Sequence, residues 1–198
     1  MFSTFKIEKV DEPNIYMVLL LGRREAAEFL GLSPPQKIID VATGTGTLAY
    51  ELAKLGHSVI GIDSSLEAIT QAKIKYSENM TLRFERADAT DLPYNDGEFD
   101  ASTISFALHD MSHEANLKVL GEMKRVTKPN GRILIVDYNE PRKNQAANLV
   151  YLLVRASEST NFQPFIHRGL DSLLQEVNLR VSRETTYLGV IQIVVIDR

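Results

Sequence analysis

The chemistry of this chain is concentrated in a short turn, where an aspartate precedes two closely spaced glycines. Asp40 is followed by Val-Ala-Thr-Gly-Thr-Gly, which puts glycine at positions 44 and 46. Glycine takes positive φ without steric cost and lets a ligand approach the backbone closely. A helix-compatible segment starts at Leu48, and the first N–H groups of a helix lack intrahelical partners. The segment therefore predicts a strand, a glycine turn and a helix that form a nucleotide-binding crevice.

The charge before the turn separates two classes of nucleotide. Gly44, Gly46 and Ala49 also satisfy the G-x-G-x-x-(G/A) pattern of dinucleotide enzymes. A carboxylate just before the turn would repel a pyrophosphate, and it would attract a ligand with an ammonium and a sulfonium. Asp40 therefore favours a sulfonium cofactor.

Two segments carry a resemblance to a known family. Residues 40–46 resemble the D/E-x-G-x-G-x-G signature of class I S-adenosylmethionine-dependent methyltransferases, with Ala42 in place of the first glycine. We expect a less strained turn at that alanine. Residues 125–131, Arg-Val-Thr-Lys-Pro-Asn-Gly, resemble the R-V-x-K-P-G-G segment of the ubiquinone/menaquinone-biosynthesis branch. The resemblance covers residues 36–138 and is specific for the superfamily but not for quinones.

Acidic residues end two further predicted strands and are candidates for binding the nucleoside. Asp63 lies about 20 residues beyond the turn, where a carboxylate accepts both ribose hydroxyls in such folds. Its alternative role is at a helix N-terminus. The resemblance implies that Asp88 and Ala89 hold the adenine, with an Asx turn as the alternative for Asp88. The predicted S-adenosylmethionine contacts are Asp40, Ala42, Thr43, Gly44, Gly46, Asp63, Ser64, Asp88, Ala89 and Phe106.

His109 follows the fourth predicted strand, on the side where the methyl acceptor should lie. A sulfonium methyl is already activated, so the enzyme mainly has to align the reactants and exclude water. A phenol or acidic carbon would also benefit from a base with a pKa near 7, and His109 could be that catalytic base. An ordinary polar residue at a strand end is an equally valid interpretation. The predicted substrate-binding residues are Tyr16, His109, Tyr138 and Phe165.

No metal is predicted in the site. Asp137 and Asn139 follow the fifth predicted strand and could suggest a Mg²⁺ site. Asp137 has no convincing partner ligand at the end of strand four except Asp110.

The elements that must position these residues alternate between strand and helix, which predicts an α/β fold with a doubly wound, mostly parallel sheet. The two segments 180–187 and 190–196 predict a C-terminal antiparallel hairpin. The resemblance implies a seven-stranded sheet in the order 3-2-1-4-5-7-6. His57 is expected in a surface turn. The other predicted strands are 38–41, 58–63, 82–87, 99–106 and 132–137.

The 198 residues fit one domain with four parts. We predict N-terminal arm and cover or lid helices at 1–35, a cofactor-binding core at 36–138, a helical insertion or lid at 139–179 and a closing hairpin at 180–198. The first helix, 13–30, could break at Gly22. Within the insertion we expect helices at 145–157 and 170–177, and between them a loop, 158–169, whose aromatic residues could close over the acceptor.

Composition limits the classes of partner. With 22 basic and 26 acidic residues the net charge is −4, which argues against nucleic acid. The chain has no cysteine and no run that approaches the ~18 apolar residues of a membrane span. We expect a cytoplasmic protein with a small-molecule methyl acceptor as its partner, no nucleic acid and no membrane span, and a homodimer remains open.

These observations predict an S-adenosylmethionine-dependent methyltransferase that acts on a small molecule by in-line methyl transfer. Two alternatives stay open at this point. One is an NAD(P)-dependent oxidoreductase, and the other is a non-catalytic S-adenosylmethionine-binding protein.

Overall fold

A computed structural model describes residues 15–76, 81–141, 151–152 and 159–198, with side chains from residue 22 onward. The strands are β1 Lys37–Val41, β2 Ser58–Asp63, β3 Leu82–Arg86, β4 Phe99–Ser105, β5 Thr127–Tyr138, β6 Arg183–Tyr187 and β7 Ile191–Asp197. The described helices are α1 Ile15–Phe29, α2 Thr47–Lys54, α3 Leu66–Lys75, α4 His113–Val126, α5 Phe162–Arg168 and α6 Leu170–Glu176, and a 3₁₀ turn spans Leu108–Asp110.

The strands form one seven-stranded sheet in the order β3-β2-β1-β4-β5-β7-β6. Strands β1 to β5 are parallel, whereas β7 runs antiparallel to both β5 and β6. The predicted strand order and the closing hairpin are thus confirmed. Val41 pairs with Ile62 on one side and with Ile104 on the other, so the ends of β2, β1 and β4 lie side by side.

The central strands are buried on both faces, as expected for parallel strands covered by helices. All of Ile38, Ile39 and Val41 in β1 have no exposed surface. The same holds for Ile133 to Val136 in β5. This continuous burial fixes the backbone of the central strands, and the loops at their carboxyl ends are therefore held in place.

The segment 125–131 holds together the end of the sheet opposite the glycine turn. The Arg125 guanidinium donates to the carbonyl oxygens of Leu92 and Tyr94, at 2.9 and 2.7 Å, and to the Glu122 carboxylate. A Cβ on Gly131 would lie 2.5 Å from the carbonyl oxygen of Asp100, so only glycine fits there. Arg125 and Gly131 of this motif therefore have structural roles that do not depend on any ligand.

The predicted loop at 158–169 is wrong, because most of it is helix α5. Phe162, Phe165 and Ile166 are buried on one face of this helix, at the i, i+3, i+4 spacing of an amphipathic helix. Pro164 lies in the first turn, where a proline is tolerated, and Gly169 ends the helix with φ 75°. The predicted helix at 145–157 lies outside the described residues except for 151–152, which are helical.

The expectation for His57 is also wrong, since its side chain is only 2% exposed. The residue leads directly into β2, and Thr81 Oγ1 donates to its carbonyl oxygen at 2.8 Å. Its Nδ1 atom is buried without a hydrogen-bond partner, and burial lowers the pKa of the imidazole. Gly22 does not break α1, where a Cβ on it would lie 3.5 Å from Ile191 Cδ1.

Candidate functional site

A groove with a volume of about 180 Å³ opens along the carboxyl edge of the sheet, between the strand ends and α4. Three elements contribute to it: the turn after β1, the start of α3 and the loop after β3. Ligands of open α/β sheets bind at this edge. Its lining contains five of the predicted cofactor residues, namely Ala42, Asp63, Ser64, Asp88 and Ala89.

Asp63 connects the glycine turn to the start of α3. Its Oδ2 accepts the Gly44 N–H at 2.9 Å, and its Oδ1 accepts the Ser65 N–H at 2.9 Å. Ser65 in turn caps α3, since its hydroxyl accepts the Ala68 N–H at 3.2 Å. A carboxylate offers about four lone-pair sites, so both oxygens retain accepting capacity towards the groove. The two roles that the sequence left open for Asp63 are therefore compatible.

Asp88 forms the Asx turn that was its alternative role, and it also lines the groove. Its Oδ1 accepts the N–H and the hydroxyl of Thr90, both at 2.8 Å. These hydrogen bonds lower the pKa of the Asp88 carboxyl. The groove thus has a charged acceptor on the loop after β3, next to Ala89.

The two glycines of the turn have different neighbours. Gly46 has φ 78°, and a Cβ there would meet the Phe84 ring at 2.5 Å. Gly44 has φ 55°, and a Cβ there would have no heavy atom within 4 Å. Gly46 is therefore required by the packing of the protein itself, whereas Gly44 leaves space that a ligand can approach.

The expectation of a less strained turn at Ala42 is wrong. This residue has φ 50°, a left-handed conformation that costs an L-residue about 1–2 kcal/mol. Phe106, at the neighbouring strand end, has φ 52°. Strained backbone of this kind persists only where the surrounding structure imposes it, and it is enriched at ligand sites.

Asp40 lies beneath the turn and has no exposed surface. Its two oxygens accept the hydroxyls of Thr43 and Thr103, each at 2.6 Å. Burial raises the pKa of the Asp40 carboxyl to about 6, although both hydroxyls and the charge of Arg23 act in the opposite direction. Asp40 can therefore act on a ligand through its charge and through Thr43, without direct contact.

His109 is only 3% exposed and is paired with Asp137. Its Nδ1 lies 2.7 Å from Asp137 Oδ1, and Asp137 also accepts the N–H groups of Leu108 and Tyr138. His109 Nε2 lies 3.5 Å from Asp110 Oδ2. The sequence did not predict this pair, because the two residues are 28 positions apart and no motif joins them.

Aromatic rings surround His109. The ring centroid of Tyr138 is 4.8 Å from that of His109, and the centroid of Phe162 is 5.9 Å away. Phe106 lies 5.2 Å from Tyr138 and continues the cluster towards the glycine turn. Phe106, Tyr138 and Phe162 thus form an apolar cluster beside His109.

The other two predicted substrate residues, Phe165 and Tyr16, are not part of this cluster as far as the structure describes them. Phe165 lines a separate cavity of about 50 Å³, together with Met111, Asn116 and Arg168. Tyr16 belongs to α1, but its side chain lies outside the described residues. Within 15–76, 81–141, 151–152 and 159–198, no group of three or more His, Asp or Glu side chains is arranged to hold a metal ion.

Arg23, which no sequence pattern marked, lies beside two residues at the end of β4. Its Nε donates to Ser105 Oγ at 3.2 Å, and its guanidinium carbon lies 4.6 Å from the centroid of the Phe106 ring. Nothing in the sequence pattern of α1 distinguishes Arg23 from the other 21 Lys and Arg residues of the chain. The fold of α1 over the sheet brings it to the carboxyl end of β4.

The fold and the groove define a class of protein, the α/β cofactor-binding domains that end in an antiparallel hairpin. A plain dinucleotide fold ends in a parallel strand, and β7 is antiparallel to β5. The oxidoreductase alternative is therefore not favoured.

Comparisons with known proteins agree with that class. A methyltransferase-domain family profile matches residues 38–131. An uncharacterized methyltransferase from Synechocystis sp. is 32% identical over 162 residues, which cover 82% of this chain and 75% of that protein. A demethylmenaquinone methyltransferase from Beutenbergia cavernae is 39% identical over 121 residues, or 61% of this chain and 48% of that protein. The chain thus spans about half the length of the latter.

A crystal structure of an S-adenosylmethionine-dependent methyltransferase from Aquifex aeolicus has the same fold, with a TM-score of 0.70 at 23% identity and coverage of 99% and 98% of the two chains. The chain belongs to the class I S-adenosylmethionine-dependent methyltransferases and is similar to their ubiquinone/menaquinone-biosynthesis members. No helix in the described part of the chain is long and apolar enough to cross a membrane.

Proposed function

We propose that this protein catalyses methyl transfer from S-adenosylmethionine to a small-molecule acceptor. The observation that carries the proposal is the groove, whose lining combines Asp63 and Asp88 with Ala42, the first residue of the turn after β1. Gly44 supports the fit of the cofactor, because its missing Cβ leaves open space on the ligand side of the turn.

In this proposal the chain's own residues bind and orient the cofactor. Asp63 would accept the ribose hydroxyls, Asp88 and Ala89 would hold the adenine, and Gly44 would let the sulfur-bearing chain pass close to the backbone. Asp40 would contribute a negative charge beneath the sulfonium. The cofactor supplies a methyl group already activated for attack, so alignment and exclusion of water account for much of the catalysis.

The acceptor side is proposed to be the aromatic cluster around His109. Rings of Phe106, Tyr138 and Phe162 suit a small apolar acceptor that sheds water before methyl transfer. One relative is a demethylmenaquinone methyltransferase, and its name gives demethylmenaquinone as its acceptor. Tyr16 on α1 stays a proposed acceptor contact, and Phe165 is proposed to reach the acceptor only through its own cavity, which shares Met111 with the groove.

His109 is proposed as the base for a phenolic or acidic-carbon acceptor. If Nδ1 donates to Asp137, Nε2 is the nitrogen able to take a proton. His109→Asn should then lower kcat about 10²–10⁴-fold and abolish its dependence on one ionisation, while S-adenosylhomocysteine still binds normally. Unchanged turnover would make His109 a structural partner of Asp137.

Calorimetry of S-adenosylhomocysteine binding tests the cofactor assignment. Asp63→Ala should weaken binding by about 1.5–3 kcal/mol, the usual value of charge-assisted hydrogen bonds. Asp91→Ala is a matched control, since this exposed aspartate is outside the groove lining and should leave affinity unchanged. Equal affinity in Asp63→Ala and wild type would contradict the assignment, as would tighter binding of NADH.

Turnover separates an enzyme from a non-catalytic binding protein. Incubation with a metabolite mixture and methyl-labelled cofactor should give a labelled small molecule whose identity defines the acceptor.

Three further features remain predictions. They are a cytoplasmic location, a homodimer and the division of the chain into four parts at residues 35, 138 and 179. Cell fractionation, light scattering and truncation, respectively, can test them.

A further inference from the structure

We propose that this chain forms a symmetric dimer with a second copy of itself through the outer edge of β3, and that Arg83 and Glu85 select the register of the pairing. The proposal concerns assembly, so it does not depend on the proposed function. Strand β3 lies at one end of the sheet, and among the described strands its one neighbour is β2.

The outer edge of β3 presents backbone groups that can pair with another strand. The ladder with β2 uses every second residue of β3, and the last of them is Ala87, whose N–H donates to the Asp63 carbonyl oxygen at 3.1 Å. The alternate residues therefore turn their N–H and C=O groups away from β2, and these are Leu82, Phe84 and Arg86. Within 15–76, 81–141, 151–152 and 159–198, these outward groups have no backbone partner.

One register of antiparallel self-pairing brings opposite charges together. A two-fold axis at Phe84 pairs this residue with its own copy, and it places Arg83 opposite Glu85 of the second copy, twice by symmetry. Residues opposite each other in this way have Cα atoms about 4.5 Å apart, so the charged side chains meet across the strands. All the outward residues are then paired, because Leu82 lies opposite Arg86 of the second copy.

The same charges disfavour the neighbouring registers. An axis at Arg83 would place this guanidinium opposite its own copy, and an axis at Glu85 would do the same to the carboxylate. Like charges directly opposite each other destabilise a strand pair. The order Arg-Phe-Glu therefore favours one register over the next one on either side.

The side chains of Arg83 and Glu85 are open to a second copy. They are 65% and 42% exposed, and they lie on the same face of β3 because they are two residues apart. Within one copy, Arg83 Nε lies 3.1 Å from Glu85 Oε1, and the Tyr94 hydroxyl donates to Glu85 Oε2 at 2.9 Å. Phe84 points to the other face and is only 6% exposed, so it holds β3 in its own sheet.

Charged residues on an edge strand commonly prevent pairing, and this is the simpler role of Arg83 and Glu85. Charges of one sign repel a second copy in every register, whereas these two repel in some registers and attract in one. On the other outer strand, β6, Arg183 and Glu184 are adjacent and point to opposite faces, so they cannot meet across a two-fold pair. The charges therefore favour the edge of β3.

Sedimentation velocity of the full chain tests this interface. The contact uses the five residues of β3 from each copy, so we expect a weak dimer with a micromolar dissociation constant. Wild type should then be dimeric at about 100 μM. Arg83→Glu and Glu85→Arg each create two like-charge contacts in the dimer, and each should raise the dissociation constant at least about 10-fold.

An equimolar mixture of the two variants separates a lost contact from a folding defect. In a mixed dimer one copy carries glutamate at both positions and the other carries arginine, so both cross-strand contacts again join opposite charges. The mixture should dimerise about as strongly as wild type, although neither variant does so alone. Glu184→Arg is the matched control, because Glu184 is exposed on β6, and it should dimerise like wild type.

The proposal is overturned if wild type is monomeric at this concentration. A dimer that both charge reversals leave intact, or one that Glu184→Arg disrupts, would place the interface elsewhere and overturn it as well. A mixture that stays monomeric has the same meaning. Binding of S-adenosylhomocysteine is measured separately on the same proteins, so a failure of the cofactor assignment is distinguishable from a failure of the dimer.

Discussion

At the scale of single residues, Ala42 carries backbone strain at the point where the chain leaves β1. An L-residue at φ 50° costs about 1–2 kcal/mol, while glycine at this conformation costs little. Glycine also has more conformational freedom in the unfolded chain. This freedom cancels about 0.5–1 kcal/mol of the stability gained by removing the strain. Ala42→Gly should therefore raise the free energy of unfolding by about 1 kcal/mol, measured by urea denaturation.

Ala49→Gly is the matched control for that measurement. Ala49 is buried within α2, where the same substitution should lower the free energy of unfolding by about 1 kcal/mol. If both variants lose stability to the same extent, the conformation assigned to Ala42 is wrong.

The residues of the groove differ in how far the sequence could predict them. Asp63 and Asp88 stand at strand ends, so strand periodicity and order were enough to bring them to one edge. The pairing of His109 with Asp137 and the position of Arg23 depend on side-chain packing between distant segments. No local pattern encodes such contacts, and the positive φ of Ala42 is likewise set by its surroundings.

At the scale of elements, α5 anchors the aromatic cluster over His109. Phe162 is 1% exposed and contacts both Tyr138 and His109 through ring edges. Phe162→Ala should lower the free energy of unfolding by about 3–5 kcal/mol in denaturant titration, because the cavity cannot fully collapse. His167→Ala, on the exposed face of the same helix, should change it by less than about 0.5 kcal/mol.

A loss below about 1 kcal/mol for Phe162→Ala would mean that α5 is not packed as described. Opening of this segment as a lid remains a separate prediction. Limited proteolysis at Arg168 tests it, since a lid should become resistant to cleavage when cofactor and acceptor are added.

The elements themselves were predictable where periodicity was strong. Strands β1, β2 and β4 follow from runs of apolar or β-branched residues between turn signals, and their bounds differ from the prediction by one residue at most. Helix α5 was missed because Phe162 and Phe165 were interpreted as lid residues, although their spacing with Ile166 is helical. Strand β5 is longer than predicted, since it starts at Thr127 and passes through Pro129 and Gly131.

At the scale of the whole molecule, the buried charge of Asp40 makes stability depend on pH. Its pKa is about 6 in the folded protein against an ordinary value of 3.8. The contribution of this carboxyl to stability is therefore complete below pH 3.8 and is lost as the pH rises through 6. The full loss amounts to about 3 kcal/mol.

Asp40→Asn removes this ionisation. The free energy of unfolding of the variant, relative to that of wild type, should thus increase by up to about 3 kcal/mol from pH 4 to pH 7.5. Urea denaturation at each pH measures it. Asp110→Asn is the control, because the Asp110 side chain is 53% exposed. Parallel pH curves for Asp40→Asn and wild type would show that this carboxyl does not ionise with a raised pKa.

The position of β7 between β5 and β6 has a consequence for how the protein forms during synthesis. Strand β6 leaves the ribosome before β7, yet among the described strands β7 is its one neighbour in the sheet. The parallel part, β3-β2-β1-β4-β5, can assemble earlier, but the open edge of β5 stays unpaired until β7 is available. A growing chain therefore passes through a stage in which its glycine turn and acidic strand ends are already folded. At that stage the free edge of β5 can still pair with a strand of another chain.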